Sequence, residues 1–171
     1  MLQKLKISFI KLKDSEKFKE FETNNPEAYF VSAFFMCEYG KFEKSVWQMD
    51  FFDPAKYRMT SFVIGKDKID MAENQKVFQK DKVKIEKLDL EEVDSFEEAI
   101  KNVEEKKNAK YKNESFTKMI VLLQSVSSKI LWNLTFLTNS FKVWNIKVDA
   151  GENVILEEKM ENIISFKAKS Q

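Results

Sequence analysis

The sequence predicts an α+β protein made of two tandem helix-plus-antiparallel-sheet units, each read as one helix followed by three strands. Three observations carry this reading. Apolar stretches of strand length are divided by turn residues along most of the chain, two amphipathic segments open on Asp-Ser pairs, and the whole pattern recurs in the same order near the middle. The 171 residues are 43% hydrophobic, which is enough apolar mass for a sizeable core and argues against disorder.

The N-terminal stretch MLQKLKISFIKLKDSEK begins with a short basic region, as a signal peptide does. Lys4, Lys6, Lys11 and Lys13 interrupt any apolar segment, however, and no small-residue cleavage site follows, so no leader is read here. In the first unit Asp14-Ser15 opens a helix over residues 16–22, with Phe18 and Phe21 on its apolar face, and Asn24-Asn25-Pro26 ends it because the residue before Pro disfavours helix. Strands follow over residues 29–38, 46–52 and 57–64, separated by Tyr39-Gly40-Lys41 and Asp53-Pro54-Ala55.

The segment from Val83 to Val93 sets Ile85, Leu88 and Leu90 between charges and has no Gly, Pro or Ser run, so it reads as a packed connection. The boundary between units is placed there, giving residues 1–82 and 83–171. In the second unit Asp94 or Ser95 is the N-cap, with Glu97 or Glu98 three residues on as a capping box. Phe96, Ala99, Ile100 and Val103 then mark one helix face that must lie on a sheet. Strands are expected over residues 116–125, 130–137 and 141–149, with turns at Ser127-Ser128 and Asn139-Ser140, and a short apolar run over 153–158.

The repeat is legible residue by residue. Val46-Trp47-Gln48-Met49-Asp50-Phe51-Phe52 aligns with Leu131-Trp132-Asn133-Leu134-Thr135-Phe136-Leu137, and after a one-residue adjustment Tyr57 to Ile64 aligns with Phe141 to Val148. Both copies then turn, through Gly65-Lys66-Asp67 or Asp149-Ala150-Gly151, into a further apolar stretch.

The helix Ser95-Phe96-Glu97-Glu98-Ala99 and the closing stretch Val148-Asp149-Ala150-Gly151-Glu152-Asn153-Val154 resemble the two ends of PepSY-like domains, which open on a Ser-x-Glu-Glu-Ala helix and close on an aromatic strand running into Val-Asp-x-x-x-Gly-x-Val. The resemblance covers residues 85–158 and reaches the first unit through the repeat. The usual Thr-Gly of the closing turn is Ala150-Gly151 here, and the first unit keeps Gly65 alone. Tandem units of this length are also similar in architecture to the beta-lactamase inhibitor protein. The resemblance implies a binding or inhibitory module with no catalytic residues to carry over.

Composition narrows the chemistry. The chain has no His, one Cys (Cys37) and three Gly, which excludes His-dependent triads, His-ligated metals, an intrachain disulfide, Cys-cluster metal sites, a Walker loop and a dinucleotide fingerprint. Its 29 basic and 28 acidic residues are spread evenly, unlike a nucleic-acid binder, and its apolar runs of about five residues fall far short of the ~20 that span a bilayer. Asp50 and Asp53 lack acidic counterparts in the repeat, where Thr135 and Thr138 stand, and so are candidates for an acid-base or metal site; the simpler reading is a solvent-facing residue and a turn initiator. Cys37 reads as a packed thiol, and Trp47, Trp132 and Trp144 as core rather than a stacking platform.

What remains is a noncatalytic protein-binding or inhibitory module acting through a sheet face or strand edge, or self-associating there, with no catalytic, metal-binding or cofactor-binding residues, no cofactor, no nucleic acid and no membrane span. A protein that binds a small apolar ligand, or an enzyme using carboxylates alone, is the alternative. With 16 Phe, 4 Tyr and 3 Trp, the chain carries more aromatic residues than two small helices cover, so Phe34, Phe51, Phe52, Phe136 and Trp144 are expected among the partner contacts. The lone Cys fits the cytoplasm, with an exported chain stripped of its leader as the alternative.

Overall fold

The computed structural model describes residues 1–76 and 84–163. The proposed boundary at residues 82 and 83 lies outside them. Helices α1 (Leu2–Asp14) and α2 (Glu16–Asn24) precede strands β1 (Tyr29–Glu38), β2 (Trp47–Asp53), β3 (Arg58–Ile64) and β4 (Ile69–Lys76). Helix α3 (Phe96–Lys110) then precedes β5 (Phe116–Val126), β6 (Lys129–Thr138), β7 (Lys142–Asp149) and β8 (Ile155–Asn162). The described strands form a single antiparallel sheet in the order β4-β3-β2-β1-β5-β6-β7-β8.

Each half therefore has four strands where the sequence reading has three. The fourth, β4 or β8, follows the turn after Ile64 or Val148 and pairs back on the strand before it. The expected strand over residues 29–38 matches β1 in both bounds, and the others agree within about two residues. Helix α1 is the larger departure, an element that the sequence reading does not include. Its lysines break the linear apolar run, yet Leu2, Leu5, Phe9 and Leu12 recur at helical spacing and face the core, with Leu5 and Leu12 fully buried.

Ser15 breaks α1 from α2. Its backbone is extended, its Oγ accepts from the Phe18 amide at 3.2 Å, and the same hydroxyl donates to the Leu12 carbonyl at 2.6 Å. Ser95 caps α3 in the same way through the Glu98 amide at 3.2 Å, and Phe96, Ala99 and Val103 are buried beneath the helix as expected. The connection before α3 is packed: Leu88, Leu90 and Val93 are buried, and the Leu88 amide donates to the Phe30 carbonyl at 2.8 Å.

All three helices contribute to one apolar layer with the same sheet face. Trp47, Met49, Phe51 and Phe62 lie in it from the first half, Trp132, Leu134, Phe136 and Trp144 from the second. Trp47 meets Phe35 edge-on at 4.6 Å between centroids, and Trp132 meets Phe96 edge-on at 4.9 Å. Tight turns also fall where turn residues stand: Ser127 and Ser128 both take positive φ in the β5–β6 hairpin, the conformation that two-residue connections require.

Candidate functional site: the uncovered sheet face

Because successive side chains of a strand point to opposite faces, burying one face under helices leaves the alternate residues on the other. At the centre of the sheet these are Ser32, Phe34, Met36 and Glu38 of β1, set against Gln124, Leu122, Ile120 and Lys118 of β5. The seam is graded along its length: a polar pair, two apolar pairs, then Glu38 against Lys118. Met36 is 51% exposed, and Phe34, Ile120 and Leu122 are half-buried although no described element lies over them. Val63, Leu137 and Val143 lie on the same face apart from this strip, Val63 beyond Gln48 and the other two beside Lys118.

Polar networks flank the strip on both sides. The half-buried Asp50 carboxylate accepts from Ser32 Oγ at 2.6 Å, Ser61 Oγ at 2.6 Å and Gln48 Nε2 at 2.9 Å. At the corresponding place in the second half, Asn145 Nδ2 donates to Asn133 Oδ1 and to Thr135 Oγ1, both at 2.8 Å. The three hydrogen bonds that the Asp50 carboxylate accepts lower the cost of desolvating it against a partner.

Of the five aromatic residues expected at a partner contact, Phe34 alone lies on this face with accessible surface. Phe51, Phe136 and Trp144 are buried on the helix side. Phe52 points the other way but is 4% exposed, enclosed by Tyr29 and Tyr57 at 5.8 and 5.4 Å between centroids. The physical reason is α1. It adds cover that a count of two helices omits, and the largest strand residues take the covered side, where they bury the most area. The residues that replace them at the surface, Met36, Ile120 and Leu122, are aliphatic and were legible as the alternate positions of β1 and β5.

The other chemical candidates resolve separately. Asp50 belongs to the open face, whereas Asp53 is buried in the β2–β3 turn and accepts from the Ala55 and Lys56 amides at 2.9 and 3.2 Å. Among the described residues no group of three or more acidic or Cys side chains is placed to hold a metal ion. Burial, reinforced by the neighbouring Glu38 charge, pushes the Cys37 thiol up, the direction that keeps it protonated. Burial also acts to raise the Glu158 carboxyl, but Lys106, Tyr111 and Lys110 more than offset it and hold the group at about 2, tying β8 to α3. Among the described residues no helix is long and apolar enough to cross a membrane.

No family model matches the chain, and no curated protein matches it in sequence. Among solved structures, the crystal structure of a putative lipoprotein from Clostridium difficile 630 is similar, with a TM-score of 0.56 at 14% identity, over 85% of this chain and 91% of that one. The likeness is one of fold. It extends across both halves of the sheet, since neither half alone makes up that share of the chain.

Proposed function

We propose that the protein is a noncatalytic module that binds another protein through the uncovered sheet face. The observation that carries this is the seam between β1 and β5, where Phe34, Met36, Ile120 and Leu122 form a central apolar strip flanked by hydrogen-bonded polar side chains. An apolar centre with a polar surround is the usual anatomy of a protein interface. The face is a better candidate than the β8 edge, because Glu157, Glu158, Lys159 and Glu161 crowd that strand with charges that oppose addition of another strand.

The finer reading of the fold belongs here too: the chain is a tandem of two PepSY-like units. Supporting it, Trp47 pairs with Ile64 as Trp132 pairs with Val148, and the next five pairs along β2–β3 and β6–β7 keep the same register. Tyr57 and Phe141, which the repeat aligns, both take positive φ at the start of the second strand. As for compartment, the description of the fold neighbour supports the exported alternative over the cytoplasmic one, and fractionation of the source cells would decide between them.

Analytical ultracentrifugation of the wild type and of Met36→Glu, together with affinity capture by both proteins, tests the binding reading. The expected result is a partner, or a second copy, retained by the wild type and lost by a folded Met36→Glu. Equal retention by both overturns the assignment to this face.

A further inference from the structure

The two flanks of α1 differ in charge. On the flank toward α2, where Ser15 breaks the helices apart, a cleft of about 490 Å³ is lined by Lys6, Lys13 and Lys87 against Glu22, Asp89 and Glu91, an even balance. Lys6 and Lys13 are neutralised there by Glu91 at 3.3 Å and Glu22 at 2.6 Å. On the other flank, α1 borders a groove of about 630 Å³ against the start of β2 and the end of β3, and the balance is lost: Lys4, Lys11, Lys44 and Lys66 line it against Glu43 alone.

Among the described residues none of these four lysines has a carboxylate partner. Lys4 Nζ donates to the Glu43 and Ser45 carbonyls at 2.8 and 2.6 Å, and Lys11 Nζ to those of Gly65 and Lys66 at 2.8 and 2.6 Å. Bonds to neutral carbonyls fix where an ammonium sits and leave its charge uncompensated. Asp14 and Asp67, the acids next to the groove in sequence, neither line it nor form an ion pair with any of the four among the described residues. Lys4 and Lys11 stand about 10 Å apart along α1, and Lys44 and Lys66 come from the segments before β2 and after β3, so both walls are basic. Between the walls the surface is aliphatic: Ile64 is buried, while Ile7 and Val46 are 60% and 45% exposed. Among the described residues no aromatic ring and no Arg lines the groove, so it offers neither a stacking surface for a nucleobase nor a guanidinium fork for a phosphate. Its concave form, with cations on both walls, does not match a flat bilayer. An extended chain with carboxylates on either side of an aliphatic side chain matches both walls and floor. We propose that this groove docks an acidic segment of a partner protein, with an aliphatic side chain between Ile7 and Val46 and carboxylates at the four lysines.

Fluorescence anisotropy of the rhodamine-labelled peptide Glu-Glu-Ile-Glu-Glu, amidated at its C-terminus, tests this with the full chain at low salt. Binding should saturate at one peptide per chain, at least about tenfold tighter than for Gln-Gln-Ile-Gln-Gln and about fivefold tighter than for Glu-Glu-Ser-Glu-Glu. Lys44→Glu and Lys66→Glu, both at exposed positions, should together weaken binding about tenfold or more without moving the thermal midpoint. Either single variant serves if the double one does not fold. Ile7→Ser should weaken binding about fivefold. Met36→Glu on the sheet face should bind the peptide as the wild type does, so failure of the sheet-face reading would leave this result standing. Equal binding of the glutamine peptide, wild-type affinity in the folded lysine variants, or displacement of the peptide more effectively by oligothymidylate or phosphatidylglycerol vesicles than by unlabelled peptide at equal charge overturns the proposal.

Discussion

The two halves of the sheet share a strand register but are roofed differently. Over β5–β8 lies one continuous helix, α3, of 15 residues, whose C-terminal turns are clamped to the edge strand by Lys106, Lys110 and Tyr111 on the Glu158 carboxylate. Over β1–β4 the cover is split into α1 and α2 of 13 and 9 residues, and among the described residues the tie to the edge strand is Lys17 donating to the Ile69 carbonyl at 2.7 Å. The difference teaches that sheet pairing constrains the layer beneath the helices more tightly than the helices themselves. Matched strand pairs place Trp47 and Trp132 alike, while the roof above can be one helix or two, and a cleft lies at the break in the split roof.

The largest expected effect probes what the halves share. Trp47→Ala and Trp132→Ala should each destabilise the protein by about 3–5 kcal/mol in urea denaturation, the usual cost of deleting a large buried aromatic. Neither indole N–H has a hydrogen-bond partner among the described residues, so Trp132→Phe should cost much less than Trp132→Ala. A large cost at one Trp and a small one at the other would break the equivalence of the halves.

Next comes a difference between them. The Glu158 carboxyl is held at about 2 in the folded chain against an ordinary 4.5, so the stability it contributes is complete above the ordinary value and is lost as the pH falls toward 2. Hydrogen exchange should therefore show β7–β8 amides losing protection across that interval before those of β3–β4, whose described helix tie runs from Lys17 to a backbone carbonyl. Glu158→Gln should cost about 1.5–3 kcal/mol at neutral pH, the range for hydrogen bonds to a charged group, and should remove the preferential loss. Simultaneous loss in both halves would show that the clamp does not set local stability.

The helix starts are a finer comparison. Ser95→Ala should cost about 1 kcal/mol through the lost cap. Ser15→Ala should cost more, toward about 2 kcal/mol, because the same hydroxyl also holds the Leu12 carbonyl and so joins two helices. Equal costs would mean that the α1–α2 junction is stabilised by packing alone. The smallest effect on stability belongs to the open face: Met36→Glu should change it by no more than about 0.5 kcal/mol while reducing partner retention, since this side chain is half exposed.

Local elements were legible where a single period governs them. The α3 face, the Ser95 cap and the bounds of β1 follow from spacing and capping chemistry within a few residues of chain. The five nominated contact residues show where that reasoning stops. Alternation along β2, β6 and β7 sorts residues into two faces but carries no mark of which face a helix will cover, and α1 was hidden because its lysines interrupt the linear run while leaving the helical stripe intact. Phe51, Phe136 and Trp144 therefore looked available and are buried.

By itself, then, the sequence determined that this is an α+β chain with a recurring strand-turn-strand pattern, no His chemistry and one thiol, because composition and short-range periodicity are properties of neighbouring residues. The tertiary structure alone decided that β1 pairs with β5, so that both halves join in one sheet. It also decided which side of that sheet the helices cover, and that a cleft forms at the α1–α2 junction. Those outcomes depend on contacts between segments some 90 residues apart, such as Phe34 with Leu122, where no local pattern reports the partner and only the joint burial of both faces selects it.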